Sequence, residues 1–140
     1  MKTAQAAARC RRALIGDIEE ARRALRLRHP SDESVHAARK AIKRARAALR
    51  LLRGTLGEAS YQHENAALRD AGRRLSPLRD AKSMAEMFRA LRERHVSRLR
   101  HAQSLAAQLD ENLRARRREL SRKPAAARIF SADHCLWTTT

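Results

Sequence analysis

The stretch from Ser34 to Gly54, SVHAARKAIKRARAALRLLRG, constrains the fold more than any other part of this 140-residue chain. Its apolar residues recur every three or four positions, which is the period of one helix face. When the stretch is drawn as a helix with about 100° per residue, the opposite face carries cations and a histidine but no acid. The sequence therefore predicts an amphipathic helix with one face on a hydrophobic core and a basic strip on the other.

The two faces of this helix can be assigned residue by residue. The apolar face consists of Val35, Ala38, Ile42, Ala45, Leu49 and Leu52. The basic strip consists of His36, Arg39, Lys40, Lys43, Arg46 and Arg50. With a rise of 1.5 Å per residue the strip is roughly 21 Å long, and its like charges repel one another. A single arginine of this kind is usually a solvated surface charge paired with an acid elsewhere, but a whole strip without an acid favours an anionic partner.

Three more helices are predicted around this one. Helix one runs from about Thr3 to Arg28, and its apolar stripe is Cys10, Leu14, Ile18, Ala21 and Leu25. Ser31 caps helix two, which continues to Arg53 and stops at Gly54. Helix three covers roughly Glu58 to Leu75, and helix four starts where Ser76 is the cap and Pro77 is the first helical residue. Met84, Phe88, Leu91, Leu99, Ala102, Leu109 and Leu113 continue the apolar period of helix four as far as Leu120, with a break near His95 to His101 or a projection beyond the bundle.

The fold class follows from these segments and from the residue types that fill them. The chain has 28 alanines and many leucines but only 3% aromatic residues, which favours helices over strands. We therefore predict an all-α antiparallel bundle of about four helices, with a long fourth helix, over residues 1–123. Residues 124–140 lack periodicity and capping signals, and we predict a disordered or non-native tail there.

The charge balance indicates the class of partner. The net charge is +17, from 32 Lys and Arg against 15 Asp and Glu, so the folded chain repels itself unless an anion lies against it. Of the cations, 27 are arginines, whose planar side chain binds phosphate oxygens two at a time. A high-GC genome would also favour arginine over lysine, but it would not explain where the charges lie.

Other site classes receive no support from the sequence. Cys10 and Cys135 have no motif spacing, so we expect two reduced thiols and neither a metal site nor a cofactor. No signal peptide and no run of roughly 20 apolar residues is present, which predicts a cytoplasmic protein without a membrane association.

Helices three and four add further cations. Arg69 and Arg73 are one turn apart with Arg74 beside them, and Arg79 is placed in the first turn of helix four, where free backbone N–H groups would also favour an anion. If helices two and three pack antiparallel through their apolar faces, their basic sides come together. The sequence thus predicts a positively charged groove.

Two motifs in this region resemble a known family. The segments VHAARKAIKRARAALRLLRG and YQHENAALRDAGRRLSPLRDA are similar to the N-terminal half of the CHAD domain, the conserved histidine α-helical domain, most strongly over residues 34–84. The resemblance implies a helical bundle that binds inorganic polyphosphate, association with polyphosphate granules, and frequent fusion to CYTH triphosphate-processing domains. It places the conserved histidine of the family on His36 and its conserved cations on Arg39, Lys40, Lys43, Arg46, Arg50, Arg69, Arg73 and Arg79.

The chain departs from that family pattern in length. A full CHAD domain is about twice as long and contains a second histidine-and-arginine helix, and the segment HVSRLRH, with His95 and His101, does not reproduce it. Two interpretations stay open: two chains associate as a homodimer that completes the groove, or the chain is a fragment with weakened binding.

Four functions compete at this point. A polyphosphate-binding module needs many phosphate contacts and no discrimination beyond charge density, which the basic strip provides. A non-specific nucleic-acid-binding protein is the alternative, because the isoelectric point is near 11.6, but the strip has no Asn, Gln or aromatic residue with which to contact bases. An enzyme is disfavoured because Glu64, Asp70 and Asp80 are scattered and no catalytic motif occurs. The fourth candidate is an inert structural bundle, which predicts that neutralising the strip causes no loss of any binding.

Overall fold

The computed structural model describes residues 2–27 and 29–122, and these residues form six helices. They are α1 (Lys2–Ala24), α2 (Asp32–Leu51), α3 (Arg53–Leu56), α4 (Glu58–Arg94), α5 (Val96–Leu99) and α6 (Gln103–Ser121). Four of them are long and two are single turns, and no strand occurs among the described residues. The prediction of an all-α bundle is confirmed. The tail predicted for residues 124–140 lies outside the described residues.

Helices α1 and α2 form an antiparallel hairpin. The connection is short, and Ser31 ends it as the N-cap of α2, where its hydroxyl accepts a hydrogen bond from the backbone N–H of Ser34 at 3.1 Å. Asp32 and Glu33 follow in the first turn, where the helix dipole stabilises negative charge. Helix α1 ends at Ala24 and α2 at Leu51, so both helices are a few residues shorter than predicted.

The apolar stripes predicted for α1 and α2 form the centre of the core. All six residues of the predicted apolar face of α2 are buried, as are Leu14, Ile18, Ala21 and Leu25 of α1, while the free thiol Cys10 packs at the edge. Ala38, Ala41, Ala45 and Ala48 supply much of the buried surface of α2. Their small side chains allow neighbouring helices to approach closely. The cationic residues lie on the opposite face of α2, outside this packing.

Helix α4 runs antiparallel to α2 and brings its own basic residues beside those of α2. Three contacts define the register: Arg46 meets Asn65, Arg39 meets Ser76, and Asp32 meets Lys82. The first half of α4 therefore lies along the full length of α2, and the second half extends past the N-terminus of α2.

The predicted break at Pro77 is wrong, because α4 continues through this proline as one helix of 37 residues. Leu75 and Leu78 flank the proline and are both buried, so packing holds the chain helical on either side of it. Pro77 has no N–H to donate to the carbonyl four residues before it. The neighbouring Ser76 hydroxyl donates a hydrogen bond to a different carbonyl, that of Gly72, at 3.2 Å. The break that was predicted near His95 is present, since α4 ends at Arg94.

Helix α6 returns along the second half of α4. Arg89 of α4 pairs with Asp110 at 2.6 Å, and Arg117 pairs with Asp32 of α2 at 2.8 Å. At the same end, the His29 ring hydrogen-bonds the Ser121 hydroxyl at 2.9 Å. The C-terminal end of α6 is thereby fixed to the start of α2, while the start of α6 lies far from it with α5 and the end of α4.

Candidate anion-binding surface

The basic strip lies on one side of α2 and faces outward. His36, Lys40, Lys43 and Arg50 are exposed, and Arg39 and Arg46 are half-buried because they lie next to α4. The strip follows from the same helical period that buries the apolar face, since both sets of residues recur every three or four positions. Its six side chains therefore form one continuous row of cationic or titratable groups.

The acids of the chain neutralise the neighbours of the strip and not the strip itself. Arg44, one residue from Lys43, pairs with Asp17 at 2.7 Å and Glu20 at 2.6 Å of α1, which raises its pKa. Arg53, beyond the end of α2, pairs with Glu58 at 2.8 Å. By contrast, the side chains of His36, Lys40, Lys43 and Arg50 form no hydrogen bond or ion pair with any residue that the structure describes. Their positive charge is left for a partner.

Two arginines of the strip are held in place by neutral groups of α4. Arg39 donates a hydrogen bond from Nη1 to the Ser76 hydroxyl at 3.2 Å, and Arg46 donates one from Nε to the Asn65 side-chain oxygen at 3.3 Å. A neutral partner orients a guanidinium without cancelling its charge. Both arginines are thus positioned and still cationic.

Helix α4 adds Arg79 to the strip. Burial lowers the pKa of Arg39, and the positive charge of the nearby Arg79 lowers it further, while Asp80 acts in the opposite direction. The two guanidinium groups are therefore close enough to repel each other across the boundary between α2 and α4. An anion placed between them would relieve that repulsion.

The free N–H groups predicted beside Arg79 are absent, because this residue lies in the interior of α4 and not in a first turn. The backbone N–H groups of an interior turn are used in helical hydrogen bonds. Arg79 can contribute only its side chain, which lies 3.5 Å from the carboxylate of Asp80.

Arg69 and Arg73 of α4 are exposed and lie between Asn65 and Ser76, the two residues of α4 that contact Arg46 and Arg39 of the strip. Arg73 makes one long contact of 3.9 Å with Asp70, and neither arginine lines the clefts beside His36. Arg79 thus lines a cleft with His36, whereas Arg69 and Arg73 lie outside both clefts and level with the middle of the strip.

His36 lies between two clefts at the N-terminal end of the strip. One, of about 180 Å³, is lined by residues of α2 and α4 that include His36, Arg39, Arg79 and Lys82. The other is shallower, has a volume of about 360 Å³, and is lined by His36, Lys40, Arg44 and Lys82 among others. His36 therefore has cations on both sides, and the carboxylates of Glu20, Asp32, Glu33 and Glu86 line the same clefts.

Lys82 is a residue of these clefts that the sequence analysis missed. Its amine lies 3.3 Å from Asp32 and 3.5 Å from Glu86. Partial burial acts to lower the pKa of Lys82, but the hydrogen bonds and charges of Asp32 and Glu86 outweigh it and raise that pKa. The signal in the sequence was the spacing of three residues from Arg79, which puts both side chains on one side of a continuous α4.

The carboxylates of Glu20, Asp32 and Glu86 in the clefts are paired with cations, whereas Glu33 forms no ion pair with a residue that the structure describes. Asp32 contacts both Lys82 and Arg117, and Glu86 contacts Lys82. Within the described ranges, no three His, Cys, Asp or Glu side chains come together in a way that would hold a metal ion. The described helices also include none with the length and apolar content needed to cross a lipid bilayer.

Comparison with known proteins identifies the family. The family model for the CHAD domain matches residues 5–136, which is nearly the whole chain, so this protein belongs to the CHAD family. Domains of this family are associated with polyphosphate binding in general. No curated protein and no solved structure matches the chain.

Proposed function

We propose that this protein binds inorganic polyphosphate along the basic strip of α2 and the neighbouring Arg79 of α4. The observation that carries the proposal is the row of strip cations that have no acid partner among the described residues, next to arginines that are paired. A linear polyanion supplies the missing negative charge at regular intervals along the row. The family membership supports the same ligand class.

Polyphosphate suits the strip better than a nucleic acid does. Adenine recognition uses amide side chains and single-strand binding uses exposed aromatic rings, and the strip has neither, so guanine is the base edge that its arginines and lysines match. Of the aromatic residues in the described part of the chain, Tyr61 is buried with the Arg53 guanidinium 5.0 Å from its ring centre, and Phe88 is half-buried. Non-specific nucleic-acid binding through charge alone is the alternative that the experiment below separates.

The proposed activity is binding without catalysis and without a cofactor. Phosphoryl transfer needs carboxylates that hold a metal ion near the phosphates. Of the carboxylates that line the clefts with His36, those of Glu20, Asp32 and Glu86 are instead engaged by cations of the protein, and Glu33 is a single carboxylate. In the cell we propose a cytoplasmic location on polyphosphate granules, as the consequence of this binding.

A competition experiment tests the proposal. Long-chain polyphosphate carrying a fluorescent label is bound to the protein and then titrated with a short DNA duplex or with unlabelled polyphosphate, at equal phosphate concentration. We expect unlabelled polyphosphate to displace the label and the duplex to do so only at far higher concentration. Equal displacement by the two competitors would contradict the proposal and favour the nucleic-acid alternative.

A further inference from the structure

A second group of arginines lies at the C-terminal end of α4 and in the segment that follows it. We call it the tip cluster; it consists of Arg92, Arg94, Arg98 and Arg100. Glu93 is the only acid between residues 92 and 102. None of the four arginine side chains forms an ion pair or hydrogen bond with a residue in the described ranges. The tip cluster therefore has the same uncompensated charge as the basic strip.

Two arginines of the tip cluster, Arg92 and Arg100, line a cleft. His95 leaves the helical conformation, with φ −129° and ψ 47°, and the single turn of α5 reverses the chain into α6. This reversal places Arg92 and Arg100 on the walls of one cleft of about 420 Å³, together with Arg89, Glu93, Val96 and Gln103. Arg92 is half-buried, and Arg89 is fixed by its pair with Asp110 at 2.6 Å. The walls are thus mainly cationic.

We propose that the tip cluster is a second phosphate-binding site, and that a long polyphosphate chain occupies it while the same chain lies on the basic strip. This inference rests on the function proposed above. Arg79 and Arg92 are thirteen residues apart on one helix, which corresponds to roughly 20 Å along its axis. The two sites therefore lie at a separation that a long polymer spans and that a ligand of three phosphates does not.

A polymer that binds two sites of the protein at once has a higher affinity than one that binds a single site. Once one part of a long chain is held by the strip, its other phosphates are present near the tip cluster at a high effective concentration. Long chains then gain affinity from the tip cluster, whereas tripolyphosphate does not. The protein is accordingly selective for chain length, although every phosphate of the polymer is chemically alike.

The test compares two double variants with equal loss of charge. Arg92→Gln with Arg100→Gln neutralises the cleft, and Arg114→Gln with Arg116→Gln neutralises two arginines of α6 that pair with Glu111 and Glu119. The affinity for tripolyphosphate and for long-chain polyphosphate is measured over a range of salt concentrations. The helical circular dichroism signal verifies that each variant is folded.

We expect the cleft variant to lower the slope of log affinity against log salt by about two for the long chain, about one per lost phosphate contact, and to leave the tighter tripolyphosphate binding, that at the strip, unchanged. The α6 variant should change the long-chain slope clearly less. A long-chain slope that falls equally in both variants, or an equal fall for the tighter tripolyphosphate binding, would overturn the second site and leave the proposed function intact. Absence of binding to either ligand by the unaltered protein would overturn both.

Discussion

At the scale of single residues, position around α2 decides whether a cation is available to a ligand. Lys43 and Arg44 are neighbours in the sequence, yet Arg44 reaches the acids of α1 and Lys43 points away from them. Both side chains are exposed, so exposure does not distinguish them. The difference is that Arg44 has acid partners and Lys43 has none. It can be tested because replacing either residue with glutamine removes one positive charge.

We expect Lys43→Gln to lower the slope of log affinity for long-chain polyphosphate against log salt by about one, the effect of one lost phosphate contact. Arg44→Gln should lower it less, because that guanidinium already has two carboxylate partners. Titrations at four or five salt concentrations measure the slopes. If Arg44→Gln has the larger effect, acid partners do not determine which cations bind the ligand.

His36 lies between the two clefts, and its part in binding can be tested by substitution. The charged groups that line the two clefts with it are Glu20, Asp32, Glu33, Arg39, Lys40, Arg44, Arg79, Lys82 and Glu86. We expect His36→Gln to lower the affinity for long-chain polyphosphate, because the imidazole is exposed at the end of the strip and has no partner among the described residues.

Replacement by glutamine separates His36 from the other histidines. In His36→Gln the affinity should be lower, whereas His29→Gln, in the loop between α1 and α2, should keep the affinity of the unaltered protein. An unchanged affinity in His36→Gln would remove His36 from the binding site.

The residues of the strip could be predicted from the sequence, but Lys82 could not. The helical period assigns both faces of α2 without knowledge of the neighbouring helices. Lys82 belongs to the clefts only because α4 is continuous and antiparallel to α2, so that this side chain reaches Asp32 at 3.3 Å. A residue whose role depends on the register between two helices is not defined by the local pattern of one.

At the scale of whole elements, α4 shows where local signals were misleading. Ser76 followed by Pro77 is a typical helix start, and it predicted two helices instead of one. In the fold, the hydrophobic contacts of Leu75 and Leu78 outweigh this signal, and the Ser76 hydroxyl serves Gly72 and Arg39 instead of an N-cap. Tertiary packing of this kind is not visible in a short sequence window.

Pro77→Ala tests the continuity of α4. In the interior of a helix the substitution restores a backbone hydrogen bond and removes a steric clash, so we expect the free energy of unfolding to rise by about 1–3 kcal/mol. Ser83→Ala, at another exposed position of α4, serves as a control and should add only about 0.5 kcal/mol. Urea denaturation measures both values. A stability that is unchanged or lower in Pro77→Ala would support a helix start at that residue.

The second half of α4 also departs from its sequence pattern. Met84 and Leu91 continue the predicted apolar period, yet their exposed fractions are 48% and 44%, and Met87 between them is 61% exposed. Ala81 and Ala85 occupy the buried side instead. The period correctly predicted a helix, but Met84 and Leu91 lie on its exposed side, and the small residues Ala81 and Ala85 face the core.

At the scale of the whole molecule, the net charge of +17 opposes self-association. We expect the free protein to scatter light as a monomer of 15.9 kDa, because like-charged chains repel at low ionic strength. Long-chain polyphosphate supplies the counter-charge, and its addition should raise the scattering mass to that of two or more chains. A mass that stays at one chain with saturating long-chain polyphosphate would contradict the interpretation in which two chains associate to complete the groove.

The most direct test of the central claim compares the strip with an equal number of paired arginines. One triple variant replaces Lys40, Lys43 and Arg50 with glutamine, and the other replaces Arg114, Arg116 and Arg118, which pair with acids of α6. For long-chain polyphosphate, we expect the strip variant to lower the salt slope by about three and the α6 variant to lower it clearly less. Equal losses in the two variants would show that net charge, and not the strip on α2, determines binding.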